Sequence, residues 1–222
     1  MTDLAEPTPG TTAPPSRWGK LSRLCAFAVL GAVAGVAAKL GDESGWQWAG
    51  DLGTYPAAWV LVVALIGRSA PGAGTAAARA AVFFAAMTAA YYSWAVFVLG
   101  FGYEPALIAA WLLLSASAVA AFAAVVSEAA RRPGPLAGAV LALAAGTALV
   151  NGALRAVWLG WTGIPVVQHP AQAVAEVVVV LVVVLVLPRH RSVRLWALGL
   201  LLPMAWLAQE LVNRLLYDTG II

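Results

Sequence analysis

Long apolar runs alternate along the chain with short polar breaks rich in Gly, Pro and charge. The runs fall at about 22–40, 56–67, 79–100, 106–127, 135–160, 171–187 and 194–217. A helix rises about 1.5 Å per residue and a hydrocarbon core of about 30 Å needs roughly 20 apolar residues. Six of the runs meet that length. The run 56–67 covers half a bilayer unless Leu52 to Tyr55 extend it, and Gly50, Asp51, Gly53 and Pro56 also suit a broken or re-entrant entry. Such backbone is tolerated in lipid only where protein or a water-filled cavity covers it. The pattern predicts an all-α fold, a polytopic transmembrane bundle of about seven helices.

Loop charge decides how the runs are threaded. Arg17, Lys20 and Arg23, then Arg68, then Arg131 and Arg132, then Arg189, Arg191 and Arg194 occupy alternate connections, and the connections between them carry Asp42, Glu43, Asp51 and Glu104. Basic loops stay in the cytoplasm. The expected topology therefore has the N-terminus cytoplasmic and the C-terminus outside, with 56–67 crossing, because a re-entrant run would put every later basic loop on the wrong side. Residues 1–17 are rich in Pro and Thr without apolar periodicity and read as a disordered cytoplasmic tail; 18–222 form a single transmembrane domain. The long, acid-containing leader favours an uncleaved signal anchor over a cleaved signal peptide. Gly41, Gly100 and Gly160, about 60 residues apart, are the expected helix stops at the outer end and hint at repeated hairpins. Trp46, Trp48, Trp158 and Trp161 suit the outer interface and Trp196 the inner one.

Composition removes the alternatives. The chain is 62% hydrophobic and 10% charged, with a mean hydropathy of +0.87; a soluble domain of this size cannot hide that much apolar surface. The net charge of +3 is spread over loops instead of forming a basic face, which argues against nucleic acid. Arginine far exceeds lysine, present only as Lys20 and Lys39, and with abundant Ala, Gly and Val this points to a bacterial cell membrane protein. Cys25 is alone, so no intramolecular disulfide forms.

The candidate chemistry lies in the polar residues inside the runs. Asn151 and Arg155, Gln172 and Glu176, and Glu210 and Arg214 are each four apart, with Gln209 and Asn213 beside the last pair. Residues four apart share a helix face, and most of the set lies roughly 8–10 Å below the outer boundary at 1.5 Å per residue. Arg155 with Glu176, and Glu210 with Arg155 or Arg214, are the natural partners. Three readings share these residues: a self-satisfied structural lock, an outward-facing pocket for a small polar solute, and snorkelling of Glu210 and Arg214 to the interface. The connection from Gly41 to Pro56 suits a lid over a cation or an amine, or simply a solvated loop with its aromatic belt. Tyr91 and Tyr92 suit packing hydrogen bonds near mid-membrane. Gly31 and Gly35 form a small-residue face for close contact with a neighbouring helix, a membrane partner or a second copy of the chain.

Catalysis finds no constellation. His169 and His190 fall in loops on opposite faces without a companion at metal-ligand spacing, and no phosphate-binding loop, HExxH helix or paired intramembrane aspartates occur. No cofactor, metal or enzymatic activity is expected.

The segment from Leu40-Gly41 through Pro56-Ala-Ala-Trp-Val-Leu-Val-Val-Ala-Leu-Ile-Gly-Arg68 to Ala90-Tyr91-Tyr92 resembles an uncharacterised family of bacterial multi-pass membrane proteins, a domain of unknown function. That resemblance implies a membrane protein and carries over no functional residue. The chain is more loosely similar to the substrate-binding S component of energy-coupling-factor transporters, which binds vitamins near the outer face but has six helices with both ends inside. Two function classes follow: a small-solute-binding or transport-related membrane component, and a non-transporting structural or assembly partner.

Overall fold

In the computed structural model of the chain, which describes residues 17–150, 152–163 and 167–218, the apolar runs are helical. Helix α1 spans Arg17–Glu43, α2 Gln47–Thr54, α3 Pro56–Ser69 and α4 Ala73–Phe97. Then come α5 (Pro105–Leu114), a π-helical turn (Ser115–Val119) and α6 (Ala120–Ala129) as one continuous rod. The second half holds α7 (Pro135–Thr147), α8 (Ala153–Trp161), α9 (Pro170–Leu181) with a π turn at Val182–Val186, and α10 (Arg191–Asp218). The expected tail before Arg17 lies outside the described residues.

Proline sets four of the starts. Pro56, Pro105, Pro135 and Pro170 stand in the first turn of α3, α5, α7 and α9, where the missing N–H has no helical partner to lose and φ is already helical. Among the described residues four helices are long and apolar enough to cross a membrane: α1, α4, the α5–α6 rod and α10. The α2–α3 pair, bent by 53° at Tyr55, adds a fifth if it acts as one span.

Two expectations need correction. Residues 135–160 are not one helix. The chain leaves α7 at Thr147 through successive three-residue turns, with the N–H groups of Ala148, Leu149, Val150 and Gly152 each donating to the carbonyl three residues back, and restarts as α8. Nor do all three spaced glycines stop helices. Gly100 does, at φ +73°, but Gly41 and Gly160 lie within α1 and α8, and the left-handed turns after those helices belong to Gly45 and Gly163.

Glycines instead set the closest helix contacts. Gly31 and Gly35 of α1 press on the backbone carbonyls of Phe83 and Met87 in α4, leaving no room for a Cβ. The face that sequence leaves open to a partner or a second copy is thus covered by α4 of the same chain. Gly138 and Gly146 of α7 admit α10 in the same way at Trp196 and Ala205. Small residues are the usual means of bringing helices together where lipid removes the hydrophobic driving force. Between these two tight pairs, Ala57 and Ala64 of α3, Val126 of α6, Leu141 of α7 and Val183 after α9 form the buried core.

The ends of the bundle differ in charge. At one end Arg131 Nη1 donates to the Ala70 carbonyl (2.8 Å), Arg189 N–H to that of Ala130 (3.1 Å) and His190 Nε2–H to that of Arg131 (3.0 Å). These bonds gather the Arg68, Arg131–Arg132 and Arg189–Arg194 connections. The opposite end collects Asp42, Glu43, Asp51 and His169, tied across the chain by Gln47 Nε2 donating to the Gln168 carbonyl (3.2 Å).

Candidate functional site

The expected polar cluster divides into three separate arrangements. On α9, His169, Gln172 and Glu176 follow one face, and Val179 and Val183 continue it into the core. Glu176 is fully buried. Its partners are two backbone amides and one side-chain amide: Ala153 N–H donates to Oε1 (2.7 Å), Leu154 N–H to Oε2 (2.9 Å) and Gln172 Nε2 to Oε1 (3.3 Å). A helix start leaves its first amides unpaired and carries the positive end of the helix dipole. Glu176 therefore caps α8 from a neighbouring helix. Gly152 makes room for it, because a Cβ there would lie 2.6 Å from Oε2.

This corrects the expected Arg155–Glu176 ion pair. The unwinding before α8 delivers amides to the carboxylate, and amides can be buried without stripping water from a guanidinium. Arg155 is exposed on the other side of α8. Asn151 lies outside the described residues. On α10, Arg214 Nε donates to Glu210 (2.8 Å) and Gln209 Nε2 to Asn213 (2.9 Å), pairs within a single helix. Since α8 packs on α9 while α10 packs on α7, these pairs are not brought to Glu176.

His169 does have a companion, which short-range spacing conceals. Its Nδ1 lies 2.9 Å from both oxygens of Asp51, 118 residues earlier, and donates to that carboxylate. Asp51 is 8% exposed, and the Tyr55 ring meets the imidazole edge-on at 5.6 Å. The pair fastens α2 to the start of α9. Among the described residues no three His, Cys, Asp or Glu side chains converge as a metal site.

The more open arrangement lies in the first half. A cavity of about 280 Å³ runs between α1, α3, α4 and the α5 rod, close to the lower end of the roughly 300–1,000 Å³ typical of ligand pockets. Trp59, Phe84, Tyr91, Tyr92 and Trp111 form much of its wall, and Asp42 stands at one end. Tyr91 Oη–H donates to Asp42 Oδ2 (2.6 Å). Tyr91 is thus level with the end of α1 and not near mid-membrane. Gly53 of α2 closes over this end, where a Cβ would come within 2.8 Å of Asp42 Oδ1. The π turn borders the cavity at Ser115 and Val119, and Ser115 Oγ–H donates to the Trp111 carbonyl (2.8 Å). π turns often accompany functional sites because they displace one helix face.

Charge at that end is unequal. Lys39, 7% exposed, pairs with Glu43 at 2.7 Å and lies over the rings of Phe101 and Tyr91, 4.3 and 5.2 Å from their centroids. Lys39 and Glu43 cancel. Asp42 has a phenol for a partner and, among the described residues, no cation within ion-pair distance. Sequence reasoning placed Tyr91 and the Gly41–Pro56 connection separately; their 49-residue separation gives no local signal that Asp42 and Tyr91 meet.

Residues 14–217 match a family of unknown function, DUF6518, and the chain belongs to it. No curated protein and no solved structure matches the chain. Membership agrees with the uncharacterised membrane family that the first half of the sequence resembles, and nothing in these comparisons supports the looser likeness to S components.

Proposed function

We propose that this protein is a solute-binding or transport-related component of a bacterial cell membrane, and that it holds a small amine-bearing, partly apolar molecule in the α1–α3–α4–α5 cavity. The observation that carries this reading is a carboxylate, Asp42, that pairs with no cation among the described residues and stands at the end of a cavity walled by Trp59, Tyr91, Tyr92 and Trp111. Aromatic faces attract an ammonium group by about 0.5–2 kcal/mol each, more when water is excluded. Asp42 supplies the counter-charge and the apolar depth toward Phe84 takes the rest of the ligand. Lys39, seated on the same Tyr91 ring, is an internal example of the chemistry.

The same reading has seven crossings, with α2–α3 and α7–α8 each counted as one broken span. The gathering of Arg68, Arg131, Arg132, Arg189, Arg191 and Arg194 at one end supports a cytoplasmic position for that end and an outward-facing Asp42. Binding without chemistry fits the residues, since the Ser115 hydroxyl is taken up by the Trp111 carbonyl.

Thermal melting in detergent with phenethylamine and with 2-phenylethanol, similar in shape but uncharged, tests the proposal. The amine should raise Tm and the alcohol should not, and Asp42→Asn should erase the difference. Equal stabilisation by both compounds, or by neither, would remove the amine reading; the second of these results favours the structural-partner alternative.

A further inference from the structure

We infer that Arg155 and the groove beside it bind the phosphate of an anionic membrane phospholipid. The groove, about 520 Å³, is bounded by Leu149, Leu154, Val157, Trp158 and Trp161 on and before α8. Arg155 is the charged member of that lining. A cation in an apolar membrane setting needs a partner or a route to water.

Among the described residues no carboxylate lies within ion-pair distance of Arg155. Glu176 is turned to the α8 amides, Glu210 pairs with Arg214, Asp51 with His169, Glu43 with Lys39 and Glu128 with Arg132, while Asp42 accepts from Tyr91 and Glu104 stands beside Tyr92. Arg155 forms none of these pairs. That leaves the guanidinium open to an anion from outside the protein. Arginine offers two parallel N–H groups that match two phosphate oxygens. Trp158 and Trp161, 64% and 83% exposed, are residues of the kind that settle at headgroup level. The apolar walls favour a lipid over free phosphate, because they offer a surface to an acyl chain and nothing to a hydrated ion. A headgroup without an ammonium is preferred, since an ammonium would compete with the guanidinium for the same phosphate.

Native mass spectrometry of the full chain, equilibrated with equal amounts of phosphatidylglycerol and phosphatidylcholine, reads this directly. Phosphatidylglycerol should be retained preferentially. Arg155→Gln should lower its retention about fivefold, the worth of one basic residue facing anionic lipid, Arg155→Lys should keep part of it, and Arg214→Ala should leave it unchanged. Trp158→Ala keeps the guanidinium but shortens the groove and should also lower retention, which maintains the test if Arg155→Gln fails to fold. Undiminished phosphatidylglycerol binding in Arg155→Gln or in Trp158→Ala would overturn the inference. So would equal heat protection of the wild type by inorganic phosphate alone, which would mark the ligand as a free anion.

Discussion

Asp42 and Glu176 are both carboxylates at the acidic side of the bundle, and their surroundings assign them opposite tasks. Glu176 is sealed, with backbone amides of α8 on both oxygens and the space of a missing Gly152 side chain around it. Asp42 has one phenol and borders a cavity. A charge whose acceptor capacity is filled by fixed backbone donors holds structure together. A charge with capacity left over beside empty space can receive a ligand.

The comparison breaks first at Glu176. Glu176→Ala leaves one buried and one partly buried amide of α8 unpaired and should destabilise the protein by about 3 kcal/mol, within the cost of losing hydrogen bonds to a charged group; unfolding in mixed detergent micelles measures it. Gly35→Ala drives a Cβ into the Met87 carbonyl and should cost about 2 kcal/mol by overpacking α1 against α4, read by the same unfolding. Gly152→Ala should cost about 1–2 kcal/mol by pushing on Oε2, and a double-mutant cycle sharpens the point. In the Glu176→Ala background the Gly152→Ala penalty should largely vanish, because the clash has gone. If the two penalties simply add, the carboxylate is not what fills the glycine's space. Asp42→Asn should change stability least, within about 0.5 kcal/mol, while it abolishes amine binding.

The sequence pattern located the helical segments well because burial in lipid demands long apolar runs, and prolines at 56, 105, 135 and 170 marked four starts. The gathering of basic loops at one end was likewise legible, as alternating charge. The break at 148–152 was not, because Ala148, Leu149 and Val150 are apolar and continue the run without interruption. The carboxylate that caps the restarted helix lies 23 residues downstream, at Glu176. Asp51 with His169 and Asp42 with Tyr91 were hidden for the same reason: each pair is created by helices that meet in space, and periodicity reports only on neighbours along one helix. The two π turns occur in Val- and Ala-rich stretches that carry no local mark.

The Glu176 cap also bears on how the chain is made. As α8 emerges from the ribosome, the first two amides of that helix have no partner until a residue 23 positions later has been synthesised. Neither the bare helix start nor the lone carboxylate is welcome in hydrocarbon. In the proposed seven-crossing arrangement the two segments should therefore enter the bilayer together, as one hairpin held back at the insertion machinery until α9 is complete.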